Sequence, residues 1–198
     1  MSNNFLSLPV LTEKPRSVGL THVLDKGISL GSMESHLSSY AEFADVWKFG
    51  WGTAYVEKHL ASKIGLLREH GITACLGGTL LEIAWSQGRV SECLNWAEQS
   101  GFTAVEVSRG VADMGMEEKW ELIRTSAQSF RVFAETGYKS AERLLTPTQW
   151  HSEITGDLAA GAEYIVAEGR ESGTVGVYDS HGTPQTEVID AALLAAGL

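Results

Sequence analysis

The stretch GITACLGGTLLE (residues 71–82) holds one complete turn of the pattern that decides the fold. Gly71 follows Glu69-His70 as the glycine expected just past a helical C-terminus. Thr73–Leu76 is a short strand-forming run, and Gly77-Gly78-Thr79 leads from its end into Leu80-Leu81-Glu82, the start of a helix. Outward from this stretch the unit recurs. Strands are expected at Val18–Leu24, Asp45–Phe49, Thr73–Leu76, Ala104–Val107, Val132–Glu135 and Tyr164–Glu168. Helices are expected near Ser32–Ala44, Val56–His70, Val90–Ser100, Met116–Phe130, Pro147–Ala160 and Gln185–Ala196. Gly101 and Gly161 repeat the terminating device, and Thr146-Pro147 supplies a capping hydroxyl before a first-turn proline. Strands that alternate with helices predict a parallel sheet, because parallel neighbours need a crossover.

Two parallel-sheet architectures compete. An open dinucleotide-binding sheet would carry GxGxxG after its first strand, where the chain reads Asp25-Lys26-Gly27-Ile28-Ser29, and no Walker A loop is present. Almost every strand instead ends in a polar or glycine-rich segment: DKG at 25–27, KFGWGT at 48–53, GGTLLE at 77–82, EVSRG at 106–110, ETGYK at 135–139 and EGRESG at 168–173. In a barrel such ends converge on one mouth. The expectation is an α/β chain with a TIM-type (β/α) barrel, incomplete at about six β/α units, since eight need ~250 residues. No linker or low-complexity stretch divides residues 1–198, which read as a single domain.

The 198 residues are 43% hydrophobic, with 15 Lys plus Arg against 25 Asp plus Glu and a formal charge of −10. The apolar content supports a packed core and excludes disorder as the main state. The negative balance excludes a footprint for duplex nucleic acid, and no basic amphipathic face suits a membrane surface. With no signal-type start and no long apolar run, a cytoplasmic location is expected. Cys75 and Cys93 make neither a disulfide framework nor a zinc pattern and read as reduced thiols.

Several strand ends carry residues able to do chemistry. Asp25 could ligate a metal, act as a base or cap the following turn. Lys48, set between Trp47 and Phe49, needs either a place in the mouth or a carboxylate partner. Gly77-Gly78-Thr79 offers backbone amides to an anion, with Thr79 and Glu82 equally readable as a capping box. Glu106 and Ser108 share a strand face, directed inward if Val105 and Val107 meet the helices. Glu135 ends the fifth strand, followed by Lys139, a proton donor, an anion clamp or a solvated lysine. Arg170 can grip a phosphate or carboxylate, and Glu168 can ligate Mg²⁺. The six histidines show no metal spacing, and His22 is expected to face the helix layer.

These motifs together resemble the phosphosulfolactate synthase family. The blocks are Lys14-Pro15-Arg16, Gly19-Leu20-Thr21, Asp25-Lys26-Gly27, Lys48-Phe49-Gly50-Trp51-Gly52-Thr53, Gly77-Gly78-Thr79-Leu80, Glu82-Ile83-Ala84, Val105-Glu106-Val107-Ser108, Glu135 with Gly137 and Lys139, and Glu168 to Gly173. They occur in family order over about residues 14–179. The resemblance implies a (β/α)8 barrel that adds sulfite to phosphoenolpyruvate with Mg²⁺, giving phosphosulfolactate for coenzyme M synthesis. It casts Lys139 as proton donor, with Lys48 and Glu106 beside it. Arg16, Lys26, Gly77, Gly78, Thr79, Ser108 and Arg170 become the substrate-binding set, and Asp25, Glu135 and Glu168 the metal candidates.

The chain departs from the family pattern twice. Where the family reads Ser-Asp-Gly-Ser, it has Ser108-Arg109-Gly110-Val111, which places a cation at the expected mouth and could change the substrate or remove the original activity. The family also continues for about two further units beyond Leu198, so open sheet edges are expected, covered by a homo-oligomer or a second polypeptide. A descendant that binds or interacts without turnover is the alternative to an enzyme.

Overall fold

A computed structural model describes residues 12–138, 144–169 and 172–198. Six strands form one parallel sheet in chain order: β1 (His22–Asp25), β2 (Val46–Phe49), β3 (Thr73–Leu76), β4 (Ala104–Val107), β5 (Arg131–Thr136) and β6 (Tyr164–Ala167). The crossovers carry α1 (Leu30–Tyr40), α2 (Thr53–Val56), α3 (Leu60–Glu69), α4 (Gly78–Ser86), α5 (Val90–Ser100), α6 (Met116–Ser126) and α7 (Pro147–Ala160); α8 (Thr186–Ala196) follows β6. Among the described residues no helix is long and apolar enough to cross a membrane.

The sheet is curled. His22 of β1 and Phe133 of β5 have ring centroids 5.4 Å apart, although three strands lie between theirs in the sheet. Across a flat sheet four strand steps would separate them by roughly 19 Å. The architecture is therefore an incomplete TIM-like barrel, a curled half-barrel with helices outside it, as the strand ends predicted. Its convex face carries the main core, where Trp47, Phe49, Leu76, Val105, Val107, Val132 and Ala134 meet the helices. Its concave floor is a smaller cluster of Val46, Cys75, Ala104 and Phe133, with Tyr164 and Val166 against it.

Local signals were accurate where glycine or proline punctuates the chain. Gly101 and Gly161 take φ of 93° and 112° at the ends of α5 and α7, and Thr146 caps α7 by accepting from the Gln149 amide. The first strand is shorter than expected, because Gly19 turns at φ 65° and extended pairing begins only at His22. Between β3 and β4 the chain forms two helices, the first of them, α4, starting at the second glycine of the pair.

The parity of β1 corrects two readings. His22 and Leu24 face the concave side, while Asp25 faces the helices. His22, expected in the helix layer, is instead part of the barrel interior. Burial, with the nearby Lys48 charge, lowers its imidazole pKa to about 4, so it is neutral there.

Candidate active site

At the C-terminal ends of the strands lies a cavity of about 680 Å³. Lys48, Gly77, Gly78, Thr79, Glu106, Glu135 and Glu168 line it, seven of the residues expected at the site. Its centre is Lys48. The ammonium donates to Glu106 Oε2 and stands 3.9 Å from Glu135 Oε2. Burial alone would lower its pKa, but the Glu106 and Glu135 charges outweigh that and raise it. Lys48 is thus held as a cation, suited to stabilising negative charge and poorly suited to giving up its proton.

Glu106 is fixed from both sides, because its Oε1 accepts from the Gly78 amide at 3.1 Å. The glycine pair is sterically required. A Cβ on Gly77 would sit 2.5 Å from the Phe49 carbonyl oxygen, and one on Gly78 would sit 2.2 Å from Ser108 Oγ. Close packing of β2, β3 and β4 ends therefore brings backbone amides at the start of α4 into the cavity wall. Thr79 lines the cavity but caps nothing: α4 begins at Gly78, with Gly77 as an N-cap lacking any side-chain bond. The capping-box reading of Glu82 is overturned with it. The Glu82 carboxylate instead accepts from Ser108 Oγ and from the amides of Gly110 (3.2 Å), Val111 (2.7 Å) and Ala112 (2.7 Å), and so shapes the loop after β4.

Five residues expected at the mouth do not line the cavity. Asp25 is buried under the helices; its Oδ1 accepts from the Gly27 and Ile28 amides, and its Oδ2 takes the Trp47 indole at 3.2 Å and faces Lys63 at 3.7 Å. One oxygen serves the turn after β1 and the other a buried indole and ammonium, which leaves Asp25 outside the cavity and away from the other metal candidates. Ser108 spends its hydroxyl on Glu82. Arg16 is at the opposite end of the strands, tied to Asp45 just before β2 and to the Glu42 and Thr12 carbonyls. Arg109 is not a mouth cation: it forms a two-pronged ion pair with Glu153 and lies 4.9 Å over the Tyr138 ring. Lys26 is at the rim, its ammonium 5.2 Å over the Trp51 ring. Lys139 and Arg170 lie outside the described residues.

Two features escaped the sequence reading. Trp51 lines the cavity from a type I′ turn over Gly50–Thr53, closed by the Thr53 amide on the Gly50 carbonyl at 3.0 Å. Its φ is 57° and that of Gly52 is 75°. A left-handed conformation costs a residue with a Cβ about 1–2 kcal/mol. The second feature is a buried ion network behind β5. Lys119 donates to the Glu135 carbonyl (2.9 Å), Glu153 (2.8 Å) and Asp157 (2.6 Å), and Arg109 completes the charge balance. A signal for it exists in the sequence: Trp150, Glu153, Ile154 and Asp157 follow the spacing of one helix face, so two acids stand among apolar residues.

Among the described residues no group of three or more His, Cys, Asp and Glu side chains is placed to hold a metal. Mg²⁺ asks for less, since it keeps several waters and takes one or two carboxylates plus substrate oxygens. Glu135 in β5 and Glu168 just after the adjacent β6, both lining the cavity, fit that requirement.

A half-barrel whose strand ends gather a cation, acidic side chains and helix-start amides around one cavity defines a TIM-barrel-type enzyme. The comparisons name its kind. The family model of (2R)-phospho-3-sulfolactate synthase matches residues 9–198. The phosphosulfolactate synthase of Bacillus subtilis is 36% identical over 192 residues, 96% of this chain and 76% of that protein. That of Methanocaldococcus jannaschii is 39% identical over 178 residues, 87% of this chain and 71% of the relative. The chain belongs to the phosphosulfolactate synthase family, and it is an enzyme of that family. Among solved structures, orotidine 5'-monophosphate decarboxylase from Sulfolobus solfataricus aligns with a TM-score of 0.52 at 14% identity, covering 89% of this chain and 73% of that one. The carboxyl transferase domain of Rhizobium etli pyruvate carboxylase aligns at 0.56 and 10% identity, covering 89% and 35%. These two likenesses speak for the fold alone.

Proposed function

We propose that the chain adds sulfite to phosphoenolpyruvate to form phosphosulfolactate. The sulfur lone pair attacks the methylene carbon, the double-bond electrons move to the carbon bearing the phosphate, and a proton delivered to that carbon completes the addition. No group leaves, so the phosphate ester is retained. The costly species is the carbanion beside the carboxylate, whose charge spreads onto the carboxylate oxygens as in an enediolate.

The observation that carries this reading is Lys48, kept cationic by Glu106 and Glu135 in the cavity wall. A fixed ammonium there stabilises charge that develops only in the transition state. With the Gly78 amide donated to Glu106, the Thr79 amide at the start of α4 favours an anionic group at the same wall. Mg²⁺ held by Glu135 and Glu168 would supply charge neutralisation between two polyanionic reactants. Lys139 is the proposed proton donor, with Arg170 and Lys26 the further cations for oxyanions. The reading places the enzyme in the cytoplasm, where thiols such as Cys75 and Cys93 stay reduced.

Phosphorus NMR of the enzyme with sulfite, phosphoenolpyruvate and Mg²⁺ tests it. The enol phosphate resonance should give way to that of an alkyl phosphate monoester, and only when sulfite is present. Phosphoenolpyruvate left intact, or free phosphate as the product, would overturn the assignment.

A further inference from the structure

We propose that Trp51 is a substrate-contact residue, whose indole covers the bound acceptor and holds the Lys26 ammonium against the acceptor's anionic oxygens. The inference rests on the sulfite-addition reading for the identity of the acceptor. Its own support is the conformation and setting of Trp51.

Among the described residues Trp51 is the only non-glycine with positive φ. It occupies the first central position of a type I′ turn, where Asn, Asp and Gly are the ordinary occupants and a bulky side chain is an outlier. The turn is seated against β1: the Gly50 amide donates to the Asp25 carbonyl at 2.8 Å, so the backbone that carries Trp51 is tied to that strand end. Packing does not explain the tryptophan, because the residue is left 63% exposed. Strain of this kind, held by a close-fitting neighbour, points to a role in function. The indole lines the cavity and carries Lys26 over its ring, so an aromatic surface and a cation are presented together at the rim. The pair also joins the loops after β1 and β2, adjacent strands of the sheet.

That combination matches the acceptor better than the nucleophile. An enol phosphate acid is flat where its double bond and carboxylate conjugate, and it carries anionic oxygens at its edges. Sulfite is small and pyramidal and offers no such face. An indole over the acceptor would also exclude water from the carbon that becomes negatively charged.

The test uses the full chain and the variants Trp51→Asn and Trp51→Phe. Asn tolerates the left-handed turn, so the denaturation midpoint of Trp51→Asn should equal or exceed that of the parent. Its KM for phosphoenolpyruvate should rise at least tenfold, with the KM for sulfite within about twofold of the parent value. Trp51→Phe keeps a ring and should fall between them. In addition, phosphoenolpyruvate alone should change the tryptophan emission of the parent and leave that of Trp51→Phe unaltered. An unchanged KM for phosphoenolpyruvate, equal rises for both reactants, or a lowered midpoint in Trp51→Asn would overturn the proposal. So would an absent emission change in the parent, whatever its turnover. A parent that responds in emission yet makes no sulfonate would fail the reaction assignment while upholding Trp51 as the acceptor contact.

Discussion

Lys48 and Arg109 show how the same kind of charge takes opposite roles at the ends of β2 and β4. Lys48 faces the cavity, and its two carboxylate neighbours keep it charged. Removing that charge in Lys48→Met should lower kcat by about 10²–10³-fold, the usual effect of deleting one group aimed at developing charge. Steady-state kinetics decide it, and a rate within a few-fold of the parent would remove Lys48 from the transition state. Arg109 looked like a cation at the mouth because it replaces an acid of the family pattern. It is instead the partner of buried Glu153. Restoring the acid, Arg109→Asp, should therefore destabilise the chain by about 3–5 kcal/mol, by stranding a buried carboxylate beside a new one. Urea denaturation would show it as a lower midpoint; an unchanged midpoint with increased synthase activity would return Arg109 to the mouth.

At the level of elements, the β5 end, α6 and α7 are locked together by Lys119, Glu153 and Asp157. Fully buried lysine is costly, and here its three donors meet three acceptors, one of them the Glu135 carbonyl. The network thus sets the strand end from which Glu135 enters the cavity. Burial raises the pKa of both its acids, but the net shifts are opposite. Burial pushes Glu153 upward, but the Arg109 and Lys119 bonds and charges outweigh it and leave its pKa lowered. For Asp157 burial dominates over Lys119, and its pKa rises from 3.8 to about 6. Between about pH 4 and pH 6 folded Asp157 holds a proton that the unfolded chain has released. Its contribution to stability is therefore greatest below pH 4 and declines as pH rises through 6. Asp157→Asn stays neutral throughout, so its stability relative to the parent should increase from pH 4 to pH 7. Urea titrations at intervals across that range test the sign, and parallel curves for the two proteins would contradict it.

The whole molecule presents a curled sheet with two ends, β1 and β6, each paired on one side only among the described residues. Leu24 at one end and Val166 at the other both line the cavity, so an apolar part of the site borders the gap. The C-terminal helix does not span it; α8 packs on α7, where Val188 joins Trp150 and Ile154 in a cluster of their own. Unpaired parallel edges invite association. The chain should therefore behave as a homo-oligomer, or with a second polypeptide on those edges. Light scattering at micromolar concentration checks this: a stable 21.4 kDa particle with little hydrophobic-dye binding would show that the edges are shielded within one chain.

Much of this was legible before any fold was known. Glycines after helices, the Thr146-Pro147 cap and the alternation of short strands with helices are local signals, and local sterics settle them. The inward face of Glu106 followed from the valines beside it, because a strand places alternate residues on opposite faces. Parity failed in β1, since His22-Val23-Leu24-Asp25 has no clean alternation and either face could be buried. Pairing across the fold was beyond sequence altogether. Arg16 with Asp45, Arg109 with Glu153 and Glu82 with the loop after β4 join residues far apart in the chain, and each partner looks like an ordinary surface charge until the sheet curls. The sequence determined which elements form and which strand ends are rich in chemistry. Tertiary structure decided which charges enter the cavity and which neutralise one another behind it, because burial and proximity are properties of the packed chain.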